Sequence, residues 1–301
     1  MEGGGLSSRL YSISNPTVAA NRALPKFLTL HPSKSSSLLC SPNYAFQSFP
    51  PRVLNASFNR FQCVNTAEVL GSAVFHQEDC NKPEVKRKKL AVFVSGGGSN
   101  FKSIHHACLQ GSIHGDIVSV VTNKHGCGGA EYARSNKIPV LLFPRTKDDC
   151  GGLSSIDLVT ALRDLEVDFV LLAGYLKLIP SELIRTFPKC ILNIHPALLP
   201  AFGGKGYYGM NVHKAVIASG ARYSGPTIHF VDEHFDTGRI LAQRVVPVLV
   251  NDTPEELAAR VLREEHGLYV EVITALCEER IIWREDGVPL IQSRENPNEY
   301  I

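Results

Sequence analysis

The chain has 301 residues, 44% of them hydrophobic and 20% charged, which is enough to bury a core in one large domain or two smaller ones. Its formal net charge of +2 is unevenly spread: residues 1–60 hold six Lys/Arg against the single acid Glu2, leaving the rest at −3, with 25 basic and 28 acidic residues. A mildly acidic body argues against a general nucleic-acid or membrane surface, and no apolar stretch reaches membrane-spanning length.

Residues 1–60 also carry eleven serines and six prolines, with no sustained periodicity and no continuous apolar run. A basic, Ser-rich, acid-poor amino terminus is the signature of an organellar transit peptide, the alternative being an unstructured cytosolic tail. Little arginine relative to serine favours the plastid stroma, with import into the mitochondrion as well left open. The expected layout is a transit peptide and disordered stretch over 1–70, a linker over 71–89 and a single domain over 90–301. The basic run Lys86–Lys89 reads as a solvated strand entrance rather than a nuclear signal. Eight cysteines form no C-x-x-C pair and no ligand spacing with His, so neither a disulfide frame nor a metal site is expected.

Leu90–Val94 is a short apolar run followed at once by Ser95-Gly96-Gly97-Gly98-Ser99-Asn100. Phe101, Ile104 and Cys108 then recur at helical spacing as far as Gly111. Strand, glycine-rich turn and helix make an anion cradle, because glycines admit close backbone approach and free amides at the helix start face the ligand. Ser99 or Asn100 can cap the helix or add a donor, although a plain tight turn fits the same residues. A dinucleotide site lacks its acidic ribose reader, since only Asp116 is near and it precedes the next strand. Ile117–Thr122, Ile138–Phe143 and Val167–Gly174 read as further strands, with helices at Gly128–Asn136 and Ile156–Leu165. Tyr175–Pro180 is an apolar loop that either packs into the core or lines a pocket for a flat aromatic ligand.

Cys190–Ile194 is the next strand, stopped by Asn193, His195 and two prolines. Residues i and i+2 share a strand face, so Asn193 and His195 point one way at its carboxyl edge, where open α/β sheets bind ligands. A carboxamide beside an imidazole offers a donor and a proton carrier to a carbonyl becoming an oxyanion. The same pair also suits a strand-end histidine satisfied by backbone. Phe202–Gly209, with four glycines and two tyrosines, reads as a flap. Met210–Ser219 is helical, Thr227–Val231 and Ile240–Val250 suggest an antiparallel pair, Pro254–Leu276 is a long helix and Arg280–Trp283 a last strand. The pattern is α/β: a Rossmann-like, mostly parallel sheet with helices on both faces and an antiparallel carboxy-terminal extension.

SGGGSN after the first strand, LAGYLKLIP, ILNIHPALLP and the Asp236-Thr237-Gly238 turn resemble the folate-dependent phosphoribosylglycinamide formyltransferases, in order and spacing, from about Leu90 to Trp283. The amino-terminal extension resembles the plastid-targeted plant form. The resemblance implies a catalytic trio of Asn193, His195 and Asp236, and a substrate-phosphate turn at Gly97, Gly98, Ser99 and Asn100. It implies a folate-binding loop at Leu176, Lys177, Leu178 and Ile179, which Asn193 joins, and a glycinamide contact at Glu265. Members of the family commonly carry Asn in place of Gly97 and Arg in place of Lys177, so here the folate contact loses a planar fork. The 202–209 flap is several residues longer than in bacterial relatives.

The chemistry that this resemblance implies is attack by the amine of phosphoribosylglycinamide (GAR) on the formyl carbon of 10-formyltetrahydrofolate, without a metal. Asn193 and protonated His195 would stabilise the oxyanion, and Asp236 would favour the imidazolium and help move the amine's proton. The expected partners are these small molecules, neither nucleic acid nor membrane, with a monomer or homodimer both open. A formyltetrahydrofolate deformylase shares the trio but usually lacks the SGGGSN turn and carries an extra amino-terminal domain. A transfer RNA formyltransferase should bring a basic carboxy-terminal domain, which the acidic balance opposes.

Overall fold

The computed structural model describes residues 86–145 and 151–300, so the expected transit segment and most of the expected linker lie outside the described residues. Strand β1 (Lys88–Val94) leads to α1 (Ser99–Leu109), β2 (Gly115–Thr122), α2 (Gly128–Ser135) and β3 (Val140–Leu142). Next come α3 (Ser155–Asp164), β4 (Phe169–Leu172), α4 (Ser181–Thr186) and β5 (Ile191–His195). The remainder is α5 (Met210–Ser219), β6 (Tyr223–Ser224), β7 (Thr227–Phe230), β8 (Ile240–Gln243), β9 (Val246–Pro247), α6 (Pro254–Cys277), β10 (Ile281–Trp283) and β11 (Pro289–Ile291).

These strands build a seven-stranded sheet in the order β3-β2-β1-β4-β5-β7-β8. β3 through β5 run parallel, while β7 and β8 are antiparallel additions. The Rossmann-like arrangement expected from the alternation of strands and helices is therefore the one observed. Period 2 divides each central strand between two cores. Leu90, Val92 and Val94 of β1 enter the cluster that also holds Phe101 and Ile104 of α1 and Tyr269 of α6. Ala91 and Phe93 enter the opposite cluster, with Leu158 and Leu162 of α3 and Leu183 of α4. A smaller third cluster joins α5 to the start of α6 through Val212, Val216, Leu257 and Val261.

Local chemistry sets the helix ends. Ser154 and Asp157 form a capping box on α3, and Thr253 and Glu256 form one on α6, where Pro254 opens the first turn. Gly220 ends α5 in the left-handed conformation. Helix α1 differs from expectation: its N-cap is Gly98 at φ 70°, with no side-chain capping bond from Ser99 or Asn100.

Four other expectations are corrected. The Ile240–Val250 run is divided, β8 pairing with β7 and β9 leaving the main sheet to pair with β6. The division falls where the Gly225 backbone crosses Arg244 so closely that a Cβ would lie 1.8 Å from its carbonyl oxygen. Helix α4 begins directly after the Tyr175–Pro180 loop, where no element is expected, and Arg280–Trp283 is not the last strand, because β11 follows and pairs with β10. Asp116 lies within β2, at its amino end, and pairs with Arg87 at 2.8 Å, far from any ribose-reading position.

The long helix α6 is held in two ways. Its apolar stripe packs on the sheet, and the Tyr269 hydroxyl, fully buried, donates towards the carbonyls of Leu172 at 3.2 Å and Leu192 at 3.3 Å, bridging β4 and β5. On its flank, Arg244 reaches Glu264 at 3.3 Å and also pairs with Glu271, crossing Gly267, where a Cβ would meet the guanidinium at 2.8 Å. Tyr269→Phe removes the bridging hydroxyl and leaves the packing; urea unfolding should show a loss of about 1 kcal/mol.

Candidate active site

The sheet order reverses between β1 and β4, and at such a switch point the loops leaving the two strands diverge and open a crevice. Ser95 closes its floor. Its backbone N–H donates to the Gly174 carbonyl at 3.1 Å, and its hydroxyl donates to Asn123 at 2.6 Å and accepts from Leu176 N–H at 3.0 Å. The turn after β1 and the loop after β4 are thereby fixed to each other. The crevice deepens into a cavity of about 580 Å³, walled by the 174–179 loop, the end of β5, the flap, the 231–236 turn and one face of α6.

The loop residues divide by side. Tyr175 and Ile179 are buried in the core, whereas Leu176, Lys177 and Leu178 are exposed at the cavity wall. Tyr175 and Ile179 are buried and line the cavity as well, so this stretch both packs into the core and walls the cavity.

At the other end the glycine-rich turn abuts α2. Gly129 N–H donates to the Gly96 carbonyl at 2.9 Å, and a Cβ on Gly98 would come within 2.9 Å of the Gly129 Cα. Gly97 has nothing within 4 Å of where a Cβ would stand. No hydrogen-bond partner among the described residues engages the amides of Gly97, Ser99 and Asn100, as expected for the open first turn of α1. Of the four turn residues singled out, only Asn100 reaches the cavity wall. Its Nδ2 donates to Glu265 Oε2 at 2.6 Å, while its Oδ1 is enclosed and without a partner among the described residues. Glu265 is buried on the inward stripe of α6, and burial raises its carboxyl above the ordinary range against the lowering effect of Asn100.

Asn193, His195 and Asp236, distant in sequence, meet. The Asp236 carboxylate lies 3.4 Å from Asn193 Nδ2 and 3.5 Å from His195 Nδ1, and accepts from Gly204 N–H at 3.0 Å. Asp236 takes a left-handed φ of 57°, and two residues on, Gly238 crosses the Phe230 carbonyl with no space for a Cβ. Burial pushes its carboxyl up, but His229, His195 and the Gly204 amide together outweigh that and hold it below the usual range, so it is ionised.

His195 is 3% exposed, and its Nε2–H donates to the Phe202 carbonyl at 2.8 Å. That bond leaves Nδ1 as a bare lone pair facing a carboxylate oxygen in the neutral ring. Burial lowers its pKa, outweighing the opposing pull of Asp236 and of the Phe202 carbonyl. In the free protein desolvation therefore disfavours the imidazolium more than one nearby anion favours it.

Two histidines escape notice in the sequence. His229 stands directly opposite Asn193 in the β5–β7 register; its Nδ1–H donates to the Phe230 carbonyl at 2.9 Å, and its Nε2 accepts from Asn193 Nδ2 at 3.0 Å. Its sequence signal was its place in an apolar strand, where a histidine needs a partner. His213 lines the same cavity from α5, buried, with Nδ1 lacking a partner among the described residues.

The formyl transferase family pattern matches residues 88–273. The chain is 65% identical over 282 residues to the chloroplastic phosphoribosylglycinamide formyltransferase of Vigna unguiculata, covering 91% of this chain and 90% of the relative. Its counterpart in Arabidopsis thaliana is 71% identical over 223 residues, covering 74% and 76%. Among crystal structures, glycinamide ribonucleotide transformylase 1 from Symbiobacterium toebii superposes with a TM-score of 0.62 at 32% identity, over 69% of this chain and 95% of that one.

The buried Glu265 has a pH consequence. A carboxyl whose folded pKa exceeds its unfolded value of 4.5 holds its proton more tightly when folded, so the associated stability is lost as pH rises through the folded value. Glu265→Gln cannot ionise. Urea unfolding should find it close to wild type at about pH 4 and increasingly more stable than wild type towards about pH 8.

Proposed function

This chain belongs to the formyl transferase family, and within it to the chloroplastic phosphoribosylglycinamide formyltransferases; on that premise we propose its donor, its site residues and its mechanism. It is an enzyme of purine biosynthesis and its compartment is the plastid. The donor is 10-formyltetrahydrofolate, its flat ring lying against Leu176, Lys177, Leu178 and Ile179 and reaching Asn193. GAR takes the other end, its phosphate on the amides of Gly97, Gly98, Ser99 and Asn100 and its glycinamide ribose portion towards Glu265. The observation that carries this reading is the meeting of Asn193, His195 and Asp236 in a cavity that also holds the Asn100–Glu265 pair.

The chemistry follows from charge. The neutral amine attacks the formyl carbon; a C–N bond forms and the carbonyl π pair moves onto oxygen. Asn193 Nδ2, which now faces a carboxylate oxygen, donates to that oxyanion. The amine nitrogen turns cationic and must lose a proton. Asp236, ionised, draws the proton in, directly or through water, and the Nδ1 lone pair of His195 receives it. The resulting imidazolium lies between a carboxylate and the oxyanion, so the developing charge supplies what burial withholds at rest. Collapse of the intermediate breaks the bond to N10 of the folate, which leaves with that proton. The products are formyl-GAR and tetrahydrofolate, and protons balance.

Asp236→Asn should lower kcat by about 100- to 10,000-fold with the fold intact by circular dichroism; full activity would remove this mechanism. Assaying folate product with GAR present and absent separates transfer from hydrolysis. Because burial sets the His195 pKa below 6.5, kcat/KM should stay level from neutral pH down to that value and decline only on further acidification, as the base protonates.

A further inference from the structure

We propose that residues 202–204, the opening of the flap, are a positioning element for the transfer, whose backbone fixes where the proton sits on His195 and where the Asp236 carboxylate rests. This role deepens the proposed function and rests on His195 and Asp236 being the proton-handling pair.

Three consecutive residues grip both side chains. The Phe202 carbonyl accepts from His195 Nε2–H at 2.8 Å. The Gly204 N–H donates to Asp236 Oδ2 at 3.0 Å. Gly203, between them, fits so closely that a Cβ would lie 2.5 Å from Leu199 Cδ2 and 3.2 Å from the Asp236 Cβ. Phe202 and Asp236 are each held in left-handed backbone, at φ 55° and φ 57°, a conformation that side-chain-bearing residues rarely keep without surrounding support. Phe202 itself packs on the cluster between α5 and α6, which anchors the segment.

The consequence concerns a tautomer. A neutral imidazole carries its proton on either nitrogen, and the hydrogen bond made by one decides the state of the other. With the Phe202 carbonyl in place, the proton stays on Nε2 and Nδ1 remains open to receive the amine's proton. Without it, the Asp236 oxygen 3.5 Å from Nδ1 is the stronger acceptor, and the proton moves to Nδ1. The ring is then already occupied at the position where it must act.

Gly203→Ala tests this, since the added methyl meets the tip of Leu199 and the stem of Asp236. Its kcat should fall by about 10- to 100-fold with the KM for GAR unchanged, the scale expected for a misplaced catalytic group. Nitrogen-15 NMR of histidine-labelled enzyme should show the His195 proton shifting from Nε2 towards Nδ1. Adding Leu199→Ala should recover much of the lost kcat. Phe202→Ala, which loosens the anchor without a clash, should move both readouts the same way by a smaller factor, and it decides the matter if Gly203→Ala does not fold. Wild-type kcat and an unmoved His195 tautomer in these variants, with Asp236→Asn inactive, would overturn the positioning role alone. An active Asp236→Asn would instead overturn the reading on which it rests.

Discussion

One ionised carboxylate governs the arrangement of the site. The Asp236 side chain is 11% exposed, and a charge taken that far from water costs several kcal/mol unless donors replace the lost solvent. The protein surrounds it from three separate segments: the flap donates the Gly204 amide, β5 brings the Asn193 carboxamide and the His195 imidazole, and β7 brings the His229 imidazole. Donors gathered around a negative oxygen suit any negative oxygen of similar size. On the proposed mechanism, the donors that hold this carboxylate would also serve the anion of a tetrahedral intermediate.

The sheet brings those donors together through its change of direction. Up to β5 all neighbours are parallel, and their carboxyl ends collect loops along one edge. β7 then enters antiparallel and sets His229 against Asn193 and Thr227 against His195. A parallel neighbour in that place would present its own carboxyl end to the crevice and send the following chain up into it. The antiparallel strand instead leads away and returns through the 231–238 turn, which carries Asp236 back over the site.

Much of this was legible in the residues, and the failures have physical causes. β1, β2, β4 and β5 are apolar on both faces, so their runs stand out, and Thr253-Pro254 and Gly220 mark helix ends by their own chemistry. Asn193 and His195 were readable as a pair because strand period is local. Asp236 entered only through resemblance, since nothing nearby records a contact 43 positions away. His229 stayed hidden for the same reason: its meaning lies in the register of two strands. Phe202 and Gly204 contribute a carbonyl and an amide, atoms every residue owns, so no composition signal marks them. The 240–250 run misled because one apolar stretch serves two sheets, the division being imposed by Gly225 crossing Arg244.

The Arg244 strap across Gly267 bears on aim rather than on strength. Exposed ion pairs of this kind contribute little free energy, about 1 kcal/mol or less. Beside the apolar packing and the Tyr269 bridge to β4 and β5, the strap opposes roll of α6 about its long axis, and a roll of one residue would swing Glu265 out of reach of Asn100. The guanidinium, seated in the notch left by a missing side chain and tied to carboxylates on either side of it, works as a key in a keyway. A side chain in that notch would meet only the far end of Arg244, so the strap, not the helix, would be the part displaced.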